Sequence, residues 1–305
     1  MIQITGLTKQ FGKNRSPAVK DLSLEINSGE IMGFAGLNGA GKTTTIRIIC
    51  GIIFPTSGKV LINGKDIVRE KVESSKHIGW VPELPNFDPN GKAVSLLKYY
   101  AGFYGIHPEE AEDKAVMLLK KFGIWNARKM PLKSYSQGMK KRFSIAAAMM
   151  GDPDNFLFDE TLNGLDPEGV KNMRDFMISL RKDGKAVLLS SHILSELENV
   201  ADRIAIIRRG SIIKVVERSE LSNLGNLSMR IQIKNPDENV DSILQKFGNV
   251  SRDRNVFKIN EMKISKDDAY MISDALFKAG YRLNSMFTES EGLEEYFLEL
   301  VGGGK

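Results

Sequence analysis

The spacing of apolar positions changes several times along the chain. At residues 19–26, Leu22, Leu24 and Ile26 alternate with polar neighbours, the period of a strand with one buried face. Residues 2–6 read as a strand too. Asn27-Ser28-Gly29 predicts a turn, 31–35 is a short apolar run, and 43–50 predicts a helix closed by Gly51. Further strands are predicted at 59–63, ended by Gly64, and at 77–81. From about residue 92 to 150 the pattern is helical, with segments near 93–104, 108–122 and 138–150. Strand and helix signals then alternate through 156–158, 170–180, 186–189, 193–200 and 204–207. Arg208-Arg209-Gly210-Ser211 predicts a hairpin turn before a strand at 212–216.

After about residue 223 the style shifts again. Strands are predicted at 228–233, 256–259 and 281–287, and helices at 240–247, 269–279 and 293–301, with a loose GGGK end. Such alternation predicts an α/β fold followed by a small α+β domain. The boundaries expected are 1–222, with a helical part at about 85–150, and 223–305.

Composition narrows the class. Cys50 is the only cysteine, so no internal disulfide framework exists, and a reducing cytosol is expected. MIQITGLTKQF lacks a basic stretch followed by an apolar run and does not read as a secretory signal. The longest apolar stretches, such as 145–150 and 186–189, fall far short of the roughly 20 residues a membrane helix needs. Net charge is +5, yet the longest basic run is Lys140, Lys141 and Arg142, so a well-mixed solvated surface is expected and nucleic acid is not an expected partner.

The segment GLNGAGKT, Gly36 to Thr43, fits G-x-x-x-x-G-K-[ST] at every fixed position and lies between an apolar strand and a helix. Its glycines let successive backbone N–H groups turn onto phosphate oxygens, with the helix dipole aimed at the same anion. Lys42 adds a point charge for the β/γ-phosphates, and Thr43 a hydroxyl for Mg²⁺. The nucleotide-binding set is therefore read as Asn38, Gly39, Ala40, Gly41, Lys42, Thr43 and Thr44.

NFLFDE places Asp159 and Glu160 directly after an apolar run. A buried parallel strand would deliver both to its carboxyl end, Asp159 for the Mg²⁺ shell and Glu160 to polarise an attacking water. AVLLSSH brings His192 to the same sheet edge, where it would touch a γ-phosphate, orient the water, or simply cap the next helix. SYSQGMKKR offers Ser136 as an N-cap whose helix presents its first amides to an anion.

The order of cradle, SYSQGM, NFLFDE, NGLDP and SSH within about 220 residues resembles the nucleotide-binding subunit of ATP-binding cassette (ABC) transporters. The resemblance implies a P-loop NTPase fold with a mainly parallel core sheet, an antiparallel β subdomain and a helical insert. The cradle matches Walker A, Asp159 and Glu160 the Walker B aspartate and catalytic glutamate, Asp166 in NGLD the D-loop, and His192 the switch histidine. Ser136, Gln137 and Gly138 match the signature, which in the family reads ATP held by a second subunit. Phe11 falls where an aromatic stacks on adenine, and an ordinary strand-end aromatic is the equal alternative.

Three departures stand out. Glu83 replaces the usual glutamine and would face Mg²⁺ or water, Thr161 replaces a proline, and YSQGM stands for LSGGQ. These variants and the LEEYFLEL tail look most like the exporter-type branch, which includes drug, antimicrobial-peptide and ion extrusion systems. The resemblance implies an ATPase using ATP and Mg²⁺, a second nucleotide-binding subunit (a homodimer in the simplest case) and a permease on another chain at the cytoplasmic face of the membrane. The alternative is a cassette ATPase acting on ribosomes or nucleic acid without a permease. Such proteins usually carry two cassettes or long coiled coils, and neither pattern occurs in this sequence.

Overall fold

Strands β1 (Ile2–Lys9) and β2 (Val19–Ile26) pair antiparallel with Ile2 opposite Ile26 and Ile4 opposite Leu24, so their alternating apolar residues share one buried face. The computed structural model describes residues 1–12, 15–218, 220, 227–260, 262–264 and 268–290. The helix expected at 293–301 and the loose end after it lie outside the described residues. Two compact units are present: Met1–Glu217, and the described residues from Arg218 onward.

In the first unit, β4 (Ser57–Ile62) joins the other edge of β1, and β5 (Lys65–Asp66) completes an antiparallel sheet of order β2-β1-β4-β5. A second sheet is built from β3 (Ile31–Ala35), β6 (Ile78–Val81), β7 (Asn155–Asp159), β8 (Ala186–Ser191) and β9 (Arg203–Arg208), all parallel. Every residue of β3, β7 and β8 is buried, which explains why their apolar residues come as unbroken runs instead of alternating with polar ones. β10 (Ser211–Glu217) closes one edge antiparallel to β9 through a turn with Arg209 at φ 48° and Gly210 at φ 85°. Helix α1 (Lys42–Ile49) follows β3, and its Ile46, Ile48 and Ile49 join one core with both sheets.

A short helix α2 (Lys71–Ser75) precedes β6. Between β6 and β7 lies the helical insert: α3 (Ala93–Gly102), α4 (Pro108–Lys121) and α5 (Gln137–Ala148). α4 carries Pro108 at its start, Glu109 and Glu110 in the first turn, and Lys120 and Lys121 in the last, each matched to the helix dipole. The insert has its own core around Leu97, Leu118, Leu119 and Phe143, with Phe87 edge-on to Phe143 at 4.9 Å. Phe143→Ala should destabilise the first unit by about 3–5 kcal/mol, because a ring with no solvent exposure leaves a cavity. Denaturant titration followed by circular dichroism checks this, and a loss below about 1 kcal/mol would mean the site collapses freely.

Two helices, α6 (Pro167–Lys182) and α7 (Leu194–Glu198), flank β8 in sequence. α5 ends at Ala148, two residues before the expected end, because Met150 N–H turns back to Ala147 in a tighter i→i−3 bond.

The second unit runs β11 (Leu227–Lys234), α8 (Asn239–Leu244), β12 (Asn249–Asp253), β13 (Val256–Asn260), α9 (Tyr270–Lys278) and β14 (Arg282–Ser290). Its antiparallel sheet has order β12-β13-β11-β14, the β-α-β-β-α-β ferredoxin-like arrangement. Met229, Ile231, Phe257, Ile272 and Leu276 form its core. The sequence does not predict β12, because Asn-Val-Ser-Arg-Asp is a mostly exposed edge strand with no apolar alternation.

Candidate functional site

The loop from Gly36 to Gly41 leaves β3 at its carboxyl end and enters α1. Gly41 has φ 112°, and a Cβ there would lie 2.5 Å from the Ala18 carbonyl oxygen, so only glycine fits. Gly36 is likewise pressed against Ile207, 2.6 Å from where its Cβ would be. The glycines thus let the loop pack tightly beneath while Asn38 and Gly39 stay exposed above.

Lys42 is 4% exposed, and its Nζ donates to the Gly36 carbonyl at 2.6 Å and the Leu37 carbonyl at 3.3 Å. It also forms an ion pair with Glu160 Oε1 at 3.0 Å. Glu160 follows β7 with φ 46°, a left-handed conformation costing about 1–2 kcal/mol outside glycine. Its N–H donates to Ser190 Oγ at 3.1 Å, fixing that turn. The other carboxylate oxygen, Oε2, accepts from Asn163 Nδ2 at 2.9 Å and lies 3.0 Å from His192 Nδ1. Burial pushes the Glu160 carboxyl up, but Lys42 and His192 outweigh it and hold the group below the usual glutamate range.

Asp159 is buried beside it. Its Oδ1 accepts from Ser190 Oγ at 2.8 Å and from Thr43 Oγ1 at 3.3 Å. Burial raises this carboxyl above the usual aspartate range, against those two hydrogen bonds, and the Glu160 charge adds to the rise. The two adjacent acids are therefore driven apart: Glu160 is the readier to stay ionised at low pH.

These groups share one cleft of about 350 Å³, lined by Asn38, Gly39, Gly41, Lys42, Thr43, Thr44, Ala18, Glu83, Glu160, Asn163 and His192. Of the residues singled out from sequence, Ala40 is buried under the loop, where its carbonyl accepts from Gly210, and Asp159 lies behind the cleft wall. Phe11 is 44% exposed with Lys9 Nζ 5.0 Å from its ring, and is not among the cleft's lining residues. His192 does not cap α7, whose N-cap position is Ile193; its ring is turned to Glu160 instead. Thr161, where the resemblance expects proline, is buried, and its hydroxyl finds no hydrogen-bond partner among the described residues.

Ser136 and Gln137 are exposed and, with Gly138, stand apart from that cleft. Ser136 caps α5 by accepting from Met139 N–H at 3.2 Å. Asp166 caps α6 by accepting from Gly169 N–H at 3.0 Å. Gly138 and Asp166 line a second cleft of about 620 Å³ together with Lys141, Arg142 and Phe176.

Sequence reasoning missed Ser190 and Asn163 as members of the site. Ser190 was detectable as a polar residue closing an apolar strand, and Asn163 as the polar side chain three residues after Glu160.

Comparison with known proteins adds an independent line. A family model described as ABC transporter matches residues 19–163. The chain is 34% identical to the bacitracin transport ATP-binding protein BcrA of Bacillus licheniformis, covering all of this chain and 98% of that one. It is also 34% identical to the lantibiotic transport ATP-binding protein SrtF of Streptococcus pyogenes, over 74% of this chain and 95% of that one. Among solved structures, an ATP binding subunit of an ABC transporter matches with a TM-score of 0.67 at 26% identity, covering 73% of this chain and 92% of that chain. A dimeric ATP-binding cassette in a post-hydrolysis state, bound to ADP and Pi, shares the fold with a TM-score of 0.66 at 24% identity, covering 72% of this chain and 99% of that one.

Proposed function

The chain belongs to the ABC transporter family as an ATP-binding, ATP-hydrolysing subunit, and from that premise we propose that it pairs head to tail with a second nucleotide-binding subunit around two ATP molecules and powers a separate membrane permease. The observation that carries this reading is the separation of two anion sites. The cradle, Glu160 and His192 share one cleft, while the capped start of α5 lies apart from it and remains exposed. A phosphate reader outside the cleft of its own cradle suits a neighbour's nucleotide.

In the proposed reaction, a water oxygen attacks the γ-phosphorus as the bond to the β–γ bridging oxygen breaks, releasing ADP and phosphate. Glu160 accepts the water's proton, its carboxylate held in place by Asn163 Nδ2 and the His192 ring. Lys42 exchanges its Glu160 partner for phosphate oxygens as the nucleotide enters, freeing the carboxylate for the water. His192 senses the γ-phosphate while steadying Glu160.

Thr43 and Asp159 would hold Mg²⁺, with Glu83 in the same cleft. Among the described residues no group of three or more His, Cys, Asp or Glu could hold a metal, which fits Mg²⁺ taking its other ligands from phosphate and water. Bound there, it would neutralise charge on the β- and γ-phosphates.

Among the described residues no helix is long and apolar enough to cross a membrane. The insert supplies a surface for the permease: Leu84, Tyr99 and Phe103 are at least 64% exposed, and the Tyr99 and Phe103 rings meet at 5.1 Å. Antimicrobial-peptide export is the transport reading that the names of the bacitracin and lantibiotic relatives support.

Ser136→Arg tests the pairing. The variant should bind ATP within about twofold of the parent yet lose at least about 100-fold in hydrolysis, because a bulky cation blocks the shared face. Nucleotide titration alongside sedimentation reads both. Lost ATP binding would place the α5 start against the chain's own cradle and refute trans pairing.

A further inference from the structure

Lys141 is the middle residue of the basic run on α5, and it is the one that is buried, at 7% exposure. Arg142 beside it is exposed, so the run by itself does not force a cation inward. Burying an ammonium is costly, and a well-packed apolar side chain would ordinarily serve such a position better. Burial depresses this amine below the ordinary lysine range, while Glu83 and Glu196 act electrostatically to raise it.

Its hydrogen bond explains the placement. Lys141 Nζ donates to the main-chain carbonyl of Asn163 at 3.1 Å. Asn163 N–H in turn donates to the Glu160 carbonyl at 3.3 Å, and its side-chain amide reaches Glu160 Oε2 at 2.9 Å. Asn163 is thus held by its backbone from α5 and holds the carboxylate with its side chain. No other residue described in the insert makes such a link to the Glu160 turn. The cap of the same helix is Ser136, five residues earlier.

We propose that Lys141 is a positioning residue: it fixes Asn163 and, through it, the Glu160 carboxylate, tying the start of α5 to hydrolysis in the chain's own cleft. This rests on the proposed pairing and on Glu160 as the base. An anion docking at Ser136 from a second subunit would shift α5, and Lys141 would pass that shift to Glu160. A rigid helix suits the task, since its residues move together.

The test compares steady-state ATP turnover and nucleotide binding in the full chain for Lys141→Met, Asn163→Ala, their combination and Lys141→Arg. Lys141→Met should lower kcat about 10-fold with KM for ATP within about twofold, since Lys141 does not line the ATP cleft, and Asn163→Ala should lower kcat by a similar factor. The double variant should be no slower than the slower single one, because both lie on one path. Lys141→Arg should restore most of the rate, because a guanidinium can still donate to the carbonyl. Thermal melting accompanies each variant; should Lys141→Met fail to fold, Lys141→Gln carries the same comparison.

Single effects that multiply to about 100-fold, an unchanged kcat in Lys141→Met, or a loss confined to KM would each overturn the link. Glu160→Gln separates this failure from that of the wider reading. If that variant is inactive while Lys141→Met runs at the parent rate, only the link falls. If it hydrolyses normally, Glu160 is not the base.

Discussion

Lys42→Ala should lower ATP hydrolysis by at least about 1,000-fold. Two effects combine. The phosphates lose a buried counter-charge, and before nucleotide enters Glu160 loses the 3.0 Å ion pair that most strongly holds it ionised. Nucleotide affinity should fall as well, because the Lys42 ammonium is held over the loop carbonyls of Gly36 and Leu37 at the mouth of the cradle. Phosphate release and a fluorescent ATP analogue measure the two effects separately. Turnover near the parent rate would remove the cradle from the reaction.

Glu160→Gln should show the opposite split: ATP binding retained, hydrolysis reduced about 100- to 10,000-fold, and an ATP-bound dimer accumulating in sedimentation. The geometry explains why the amide is tolerated. Its oxygen can face Lys42, where Oε1 now lies, while its NH₂ takes the place of Oε2. Asn163 and His192 both point donors at that place, so Asn163 must flip its amide and His192 must change tautomer. Both adjustments are available without moving the backbone. A monomer that hydrolyses ATP normally would transfer the role of base to another group, with Glu83 the other carboxylate lining the cleft.

Much of the cleft was legible from the chain because each of its parts follows an apolar run in a fully buried strand. NFLFDE and AVLLSSH deliver Glu160 and His192 to one sheet edge because β7 and β8 are adjacent and parallel, with Asp159 opposite Ser190. The glycine spacing of GLNGAGKT carries its own backbone requirement, visible at Gly41. Asn163 and Ser190 were visible as polar residues within the motifs, but their contacts to Glu160 and Asp159 were not legible. Their role depends on where a turn with left-handed Glu160 sends its side chain, and on which hydroxyl stands across the neighbouring strand. β12 escaped detection for a related reason: an exposed edge strand buries too little to leave a pattern.

SYSQGMKKR marks the boundary between the two kinds of information. By itself the sequence determined that Ser136 caps a helix and that three basic residues follow, because capping and charge are local properties. Only the tertiary structure decided that the cap stays exposed and apart from the chain's own cradle, and that Lys141 of the three turns inward to Asn163. Helical periodicity leaves the orientation of a mixed polar segment open, since any of its faces can meet water. Tertiary packing of α5 selects one face, and a single partly buried hydrogen bond then brings one cation of the run to the loop after Glu160.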